Sequence, residues 1–255
     1  MSSLILKIDQ IIEERSLLEH PFYQTWSEGK LTRDALAGYA KEYFQLVKAV
    51  PKFMNPLLEN APESMYDELD YNQTEETSHI NLWIKFANEL GISHNELINY
   101  TGTEKTNKAV STLNSLMSSF ESGASAMYAF EKEIPKISRI KLDGLAEFYG
   151  ITNEDATEYF REHVEADIRH TQAWQKILEE SSGHDQDAIN AAKSSGEFTA
   201  PIVTSLEEFS VFYPAENYHE DYYAKNSNAA YCSFVITPKL EKFKSNFSSL
   251  LKEAN

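Results

Sequence analysis

From residue 4 to about residue 180, apolar positions recur three and four residues apart, the period of helices that bury one face. Leu4 to Leu18 carries an apolar face with charges opposite, and HPFYQTW, from His20, begins a short second helix. Thr32 reads as the N-cap of a long helix whose pattern runs to about Asn60, interrupted by Pro51 and Pro56, where a kink or break is expected. The next helix runs from about Pro62 to Gly91, a residue suited to a C-terminal cap. Ser93 with Glu96 is a capping box that opens a short helix. Further helices are predicted at about 104–121 and 122–149, the latter stopped by Gly150, and Thr152 starts the last one. The expected architecture is all-α: seven or eight helices joined by short connections.

The pattern changes after Glu180. SSGHDQDAINAAKSSGEFTAP is rich in Ser, Gly and Asp, as in a linker around one short helix, and strand-like apolar runs follow before a helical pattern returns at 238–253. The boundary is placed near residue 183, giving a helical domain over 1–182 and a small mixed appendage over 183–255.

With 255 residues, the chain can bury a large core, and 42% apolar residues with 12% aromatics exclude a disordered class. A formal charge of −17 with no basic patch argues against nucleic acid and anionic membranes as partners. No uncharged run is long enough for a signal peptide or a membrane span, and the single cysteine, Cys232, fits a reducing cytoplasm.

The chemistry concentrates in EHVEADIRH. His163, Asp167 and His170 stand four and three residues apart, so two imidazoles and a carboxylate share one helical face. That donor set suits iron, manganese or zinc better than calcium or magnesium. Upstream, Glu76 and His79 form an E-x-x-H pair and Glu75 and His79 an E-x3-H pair, and either spacing brings the two side chains together. Glu131 sits among Met127, Tyr128, Phe130 and Ile134, on a helix that reads as buried, where a carboxylate needs a partner or a metal. Carboxylates and E-x-x-H pairs projecting from separate helices are the inventory of bundles that hold two metals.

With these residues in place, the first 180 positions resemble the haem-oxygenase-like diiron oxidases, a fold shared with TenA-like bundles. The similarity is greatest to their CADD branch, the chlamydia proteins associating with death domains. It runs through HPFYQTWSEGKLTRDALAGYAKEYFQLVKAVPKF, HINLWIKFANELG, MYAFEKEIPKISRIKLDGL and HVEADIRHTQAW in one order. The resemblance implies a metal pair, Fe/Fe or Fe/Mn, held by a Glu of the Glu75–Glu76 pair, His79, Glu131, His163, Asp167 and His170, with O2 and an external reductant as co-substrates. The family's longer Glu-to-His spacing points to Glu75 when three residues are deleted from it, whereas the E-x-x-H variant points to Glu76. The resemblance further implies formation of p-aminobenzoate, a folate precursor, from a tyrosine of the protein itself, which by motif is Tyr23, with Lys141 as the amino donor. Phe130 departs from the family's tyrosine before the ligand Glu, which leaves Tyr39, Tyr43 and Tyr128 as substitute phenols. Two other readings stand beside this one: an oxygenase acting on a free small molecule such as a fatty acid or amino acid, and a non-catalytic interaction protein of the death-domain kind.

The appendage resembles something else, the C-terminal half of an A-type peptide methionine sulfoxide reductase. The similarity centres on YPAENYHEDYY from Tyr213, while the family's GCFWG nucleophile motif is missing. Asn217 and Glu220 replace the family's usual acidic residue and Gln, and Cys232 has no partner thiol. A remnant, or a segment for docking and dimerisation into a homodimer, is therefore expected rather than a reductase.

Overall fold

Prolines set where the helices around the site end. The computed structural model describes residues 2–180 and 185–196, together with residues 225 and 237. In chain order its helices are α1 Ser3–Glu14, α2 Pro21–Ser27, α3 Arg33–Val47, α4 Val50–Glu59, α5 Glu63–Glu89, α6 His94–Asn99, α7 Glu104–Leu116, α8 Phe120–Glu131, α9 Ile134–Tyr149, α10 Glu154–Glu180 and α11 Asp185–Gly196. Val47 ends α3 four residues before Pro51, and Glu131 ends α8 four residues before Pro135. A proline lacks the amide proton for that i→i−4 bond, and its ring collides with that carbonyl. The single helix predicted over 122–149 is therefore two, and the second break leaves Glu131 at the last turn of α8. Pro56 makes no such break and lies inside α4.

Most of the expected caps are present, but α10 is capped by Asn153, whose Oδ1 accepts from the Asp155 amide at 2.9 Å, rather than by Thr152. Thr32 accepts from the Ala35 amide and Ser93 from the Glu96 amide. Gly150 ends α9 with φ +67°, a conformation that favours glycine.

Two apolar clusters fill the bundle. One gathers Ile5, Ile8, Phe53, Leu57, Leu69 and Trp174 from α1, α4, α5 and α10. The other gathers Trp26, Phe44, Trp83, Phe86 and Phe160 from α2, α3, α5 and α10. Along α5 the first cluster ends at Leu69 and the second begins at Trp83, with buried Asn72, Glu76 and His79 between. Along α10, His163, Asp167 and His170 lie in the same way between Phe160 and Ala173. Among the described residues, the buried carboxylates and imidazoles thus lie in one layer between two apolar ones.

Composition assigns residues from 183 to a linker, yet α11 packs on α8 through small residues. Ser125 Oγ donates to the Ala188 carbonyl at 2.7 Å and Ser195 Oγ to that of Ala126 at 2.9 Å. Burying Ala188, Ala191 and Ala192 makes α11 part of the helical unit, and the chain divides into Met1–Thr204 and Ser205–Asn255. The strand-like runs, Tyr213, Asn217, Glu220 and Cys232 lie outside the described residues. No described helix is long and apolar enough to cross a membrane.

Gly144 lets α9 approach α2. A Cβ there would lie 2.7 Å from Trp26 Cδ1 and Nε1, and the Trp26 indole, fully buried, donates to the Lys141 carbonyl at 3.3 Å. Overpacking costs about 1–3 kcal/mol, against a helix-propensity gain of about 1 kcal/mol for Gly→Ala. Gly144→Ala is therefore expected to lose roughly 1 kcal/mol net, read as a lower urea midpoint at unchanged m-value.

Candidate metal centre

Helix α5 supplies Glu76 and His79 to the polar layer, α8 supplies Glu131, and α10 supplies His163, Asp167 and His170. All six are at least nine-tenths buried. Ligand-capable atoms of Glu76, His79 and His163 lie within 4.8 Å of one another, and so do those of Glu76, Glu131, Asp167 and His170. Glu76 belongs to both groups, which is the geometry of two adjacent cation sites sharing one carboxylate. The spacing is tight: His79 Nδ1 is 3.4 Å from Glu76 Oε2, and His170 Nδ1 is 3.4 Å from Asp167 and 3.6 Å from Glu76.

Five atoms of this layer are buried without a hydrogen-bond partner: Asn72 Nδ2, His79 Nδ1, His170 Nδ1 and both carboxylate oxygens of Asp167. Orphaned polar atoms are costly in a folded core and call for an ion or water. Three carboxylates and three imidazoles with converging lone pairs fit iron or manganese. The electrostatics agree. Burial drives the Asp167 carboxyl well above its ordinary range, with Glu76 adding repulsion. Burial likewise raises Glu131, against a lowering pull from His170. His163 is pushed down to about 3, first by burial and then by His79 beside it. Burial would raise Glu76 too, but its contact with His79 and the neighbouring imidazoles hold it lower than usual. A divalent cation reverses the repulsion that this cluster otherwise stores.

Outer contacts fix the inner ones. His163 Nδ1 lies 2.7 Å from the Tyr159 carbonyl, which leaves Nε2 to face the cluster. Trp174 Nε1 donates to Glu131 Oε2 at 2.7 Å. Of the two candidate glutamates, Glu76 is buried in the layer, whereas Glu75 sits at its rim. There Glu75 accepts from Arg169 at 2.8 and 3.1 Å and touches His170 Nε2 at 3.2 Å.

Tyr23 and Lys141 come together in an aromatic compartment against this layer. Both are 4% exposed. Lys141 Nζ lies 5.2 Å from the Tyr23 ring centre, 5.1 Å from that of Tyr39 and 5.2 Å from that of Tyr43, and donates to Tyr39 Oη at 2.6 Å. Burial raises the Tyr23 phenol above its ordinary value, with Tyr39 beside it pulling the other way. Desolvation lowers the Lys141 ammonium to about 7. The path from this compartment to the ligand layer runs through ring contacts: Tyr43 packs on Trp83, Trp83 meets Tyr159 edge-on, and Tyr159 stacks on His163 at 4.0 Å. Tyr128 does not belong to it: its hydroxyl donates to Asp9 and accepts from Lys132. A cavity of about 10 Å³ beside the ligands is lined by Tyr43, Phe130, Glu131, Tyr159 and Asp167 among others, room for a molecule the size of water or O2.

Sequence reasoning passed over Tyr159, Trp174 and Arg169. The first two stand four residues before His163 and four after His170, so the step that found the ligands would have placed both on the same face. Arg169, flanking His170, carried no such signal.

A family model described as iron-containing redox enzyme matches residues 37–196. The chain is 33% identical over 210 residues to a 4-aminobenzoate synthase of Chlamydia muridarum, covering 80% of this chain and 88% of the relative. It is 37% identical over 189 residues to a 4-aminobenzoate synthase of Nitrosomonas europaea, covering 68% and 77%. A TenA homologue of Pseudomonas syringae pv. tomato superposes with a TM-score of 0.66 at 16% identity, over 77% of this chain and 87% of that one. A TenA homologue of P. horikoshii gives 0.63 at 15% identity, over 77% and 92%. These two establish the fold as TenA-like and haem-oxygenase-like. A separate stretch of 55 residues is 54% identical to a peptide methionine sulfoxide reductase of Thermus thermophilus, covering 22% of this chain and 31% of that enzyme.

Proposed function

Because the chain belongs to the family of iron-containing redox enzymes, we propose that it forms p-aminobenzoate from its own Tyr23, with Lys141 supplying the nitrogen, in a reaction that consumes O2 and external reductant. The observation that carries this reading is the buried Lys141 amine against the Tyr23 ring. Its only hydrogen bond among the described residues is to Tyr39, and no carboxylate there pairs with it. The relatives named 4-aminobenzoate synthase support the product.

The chemistry of the product fits the pair. p-Aminobenzoate carries a carboxyl group para to an amine on a benzene ring, and a tyrosine side chain carries Cβ para to its hydroxyl. Cβ then corresponds to the carboxyl carbon, freed by breaking the Tyr23 Cα–Cβ bond, and the carbon bearing the hydroxyl to the one that takes nitrogen; its oxygen leaves as water and the Lys141 Cε–Nζ bond breaks to release the amine. Taking a methylene carbon to the carboxyl level is an oxidation, so an oxidant must enter. Two ions held by Glu76, His79, Glu131, His163, Asp167 and His170, Fe/Fe or Fe/Mn, supply that redox capacity when bound.

The chain's own residues do the rest. Desolvation favours the neutral amine of Lys141, whose lone pair can attack carbon. Tyr39 holds the amine in place by accepting its hydrogen bond, with the nitrogen 5.2 Å from the centre of the Tyr23 ring. The aromatic wall of Trp26, Trp83 and Phe160 excludes water from both. A cavity of about 10 Å³ has no room for a fatty acid, which favours a substrate already built into the chain. A protein consumed in this way acts once.

Tyr23→Phe tests the proposal. Metal uptake should stay intact while p-aminobenzoate falls below detection, measured by liquid chromatography after Fe(II) loading and exposure to O2 and reductant. Product at the wild-type level from this variant would end the reading.

A further inference from the structure

We propose that Glu75 is a positioning residue for His170 and is itself locked by Arg169; the inference rests on the reading of the buried layer as a metal pair. An imidazole offers a lone pair from one nitrogen only while the other carries the proton. His170 Nε2 lies 3.2 Å from Glu75 Oε2, and a carboxylate in that position takes the Nε2–H. His170 Nδ1 is then the unprotonated nitrogen. That atom is the one with no hydrogen-bond partner, 3.4 Å from Asp167, 3.6 Å from Glu76 and 4.0 Å from Glu131.

Glu75 is not free to turn inward. The Arg169 guanidinium takes one oxygen at 2.8 Å and the other at 3.1 Å, a fork that fixes the carboxylate plane. Arg169 in turn lies 5.5 Å over the Tyr71 ring. The result is a line from surface to core: Arg169, about half exposed, then Glu75, then fully buried His170. The other imidazole with a fixed tautomer, His163, leans on a backbone carbonyl instead. Of these two, His170 alone depends on side chains that solvent can reach.

The test is titration of the full-length protein with Co(II), reading stoichiometry, affinity and visible d–d absorption. Wild type should bind two equivalents. Glu75→Ala should still bind two, with one of them weakened 10- to 100-fold and its d–d bands shifted. Glu75→Gln should recover part of the loss, since the amide oxygen accepts the same bond, and Arg169→Ala should move the same ion by less. Loss of a whole equivalent in Glu75→Ala would make Glu75 a ligand and overturn the inference. So would equal weakening by Ala and Gln, which means packing alone, or wild-type titrations in every variant, which mean a surface ion pair. Failure of wild type to bind Co(II) would instead overturn the metal-site reading beneath it.

Discussion

Replacing Lys141 with methionine is expected to abolish p-aminobenzoate, at least about a hundredfold below wild type, while iron content stays unchanged. Methionine matches the length of the side chain and its apolar surroundings of Tyr23, Tyr39, Tyr43 and Phe160, but has no nitrogen to give. Lys141→Arg should fail equally, because a guanidinium stays charged at every accessible pH. In the wild type, burial lowers the amine to about 7, so product formation should rise with pH, close to tenfold per unit below that value, and level off above it. The same shift links to stability. The unfolded chain holds this proton to about pH 10.4, so between the two values the unfolded state binds more protons and stability rises with pH. Below about 7 both states are protonated and the folded protein carries the full cost of a buried ammonium. Lys141→Met should therefore be more stable than wild type at pH 6, with the gap closing toward pH 10, in thermal melts of the metal-free protein.

Asp167→Asn should remove one of the two metal ions, that of the Glu76, Glu131, Asp167 and His170 group, and at the same time stabilise the apo protein. Asp167 is 1% exposed, neither of its carboxylate oxygens has a partner, and Glu76 repels it. Asparagine keeps the shape and removes the charge. Relieving one uncompensated buried carboxylate is worth about 1–3 kcal/mol, a rise of several degrees in melting temperature. Fe(II) or Co(II) should raise the wild-type midpoint by mass action and raise that of the variant by less, since the Glu76, His79 and His163 group is untouched. A variant less stable than wild type without metal would show that the carboxylate already has a stabilising partner.

Much of this was legible in the chain because it is local. Caps at Thr32 and Ser93, the αL glycine Gly150 and the shared face of His163, Asp167 and His170 all follow from spacings within a turn or two of helix. What was missed depends on other elements. Glu75 and Glu76 are both spaced to meet His79, and what separates them is Arg169 on α10, 94 positions away from Glu75. Tyr39 meets Lys141 across 102 positions. A short helix was expected where α11 lies, but its packing on α8 was hidden by composition, since small and polar residues that read as a linker are also what lets two helices touch. Pro135 could have been read as the break it is, because its effect on the carbonyl of Glu131 is as local as any cap.

The most direct test of a self-consuming synthase is mass spectrometry of the protein before and after one reaction. Protein loaded anaerobically with Fe(II), with or without Mn(II), would be exposed to O2 and reductant, its peptides mapped and free p-aminobenzoate counted in the same tube. The account predicts at most one equivalent of product, mass lost at Tyr23 and changed at Lys141, and no second turnover. Repeated product formation, or O2 consumption with both residues intact, would contradict it and mean that the ring comes from an external substrate.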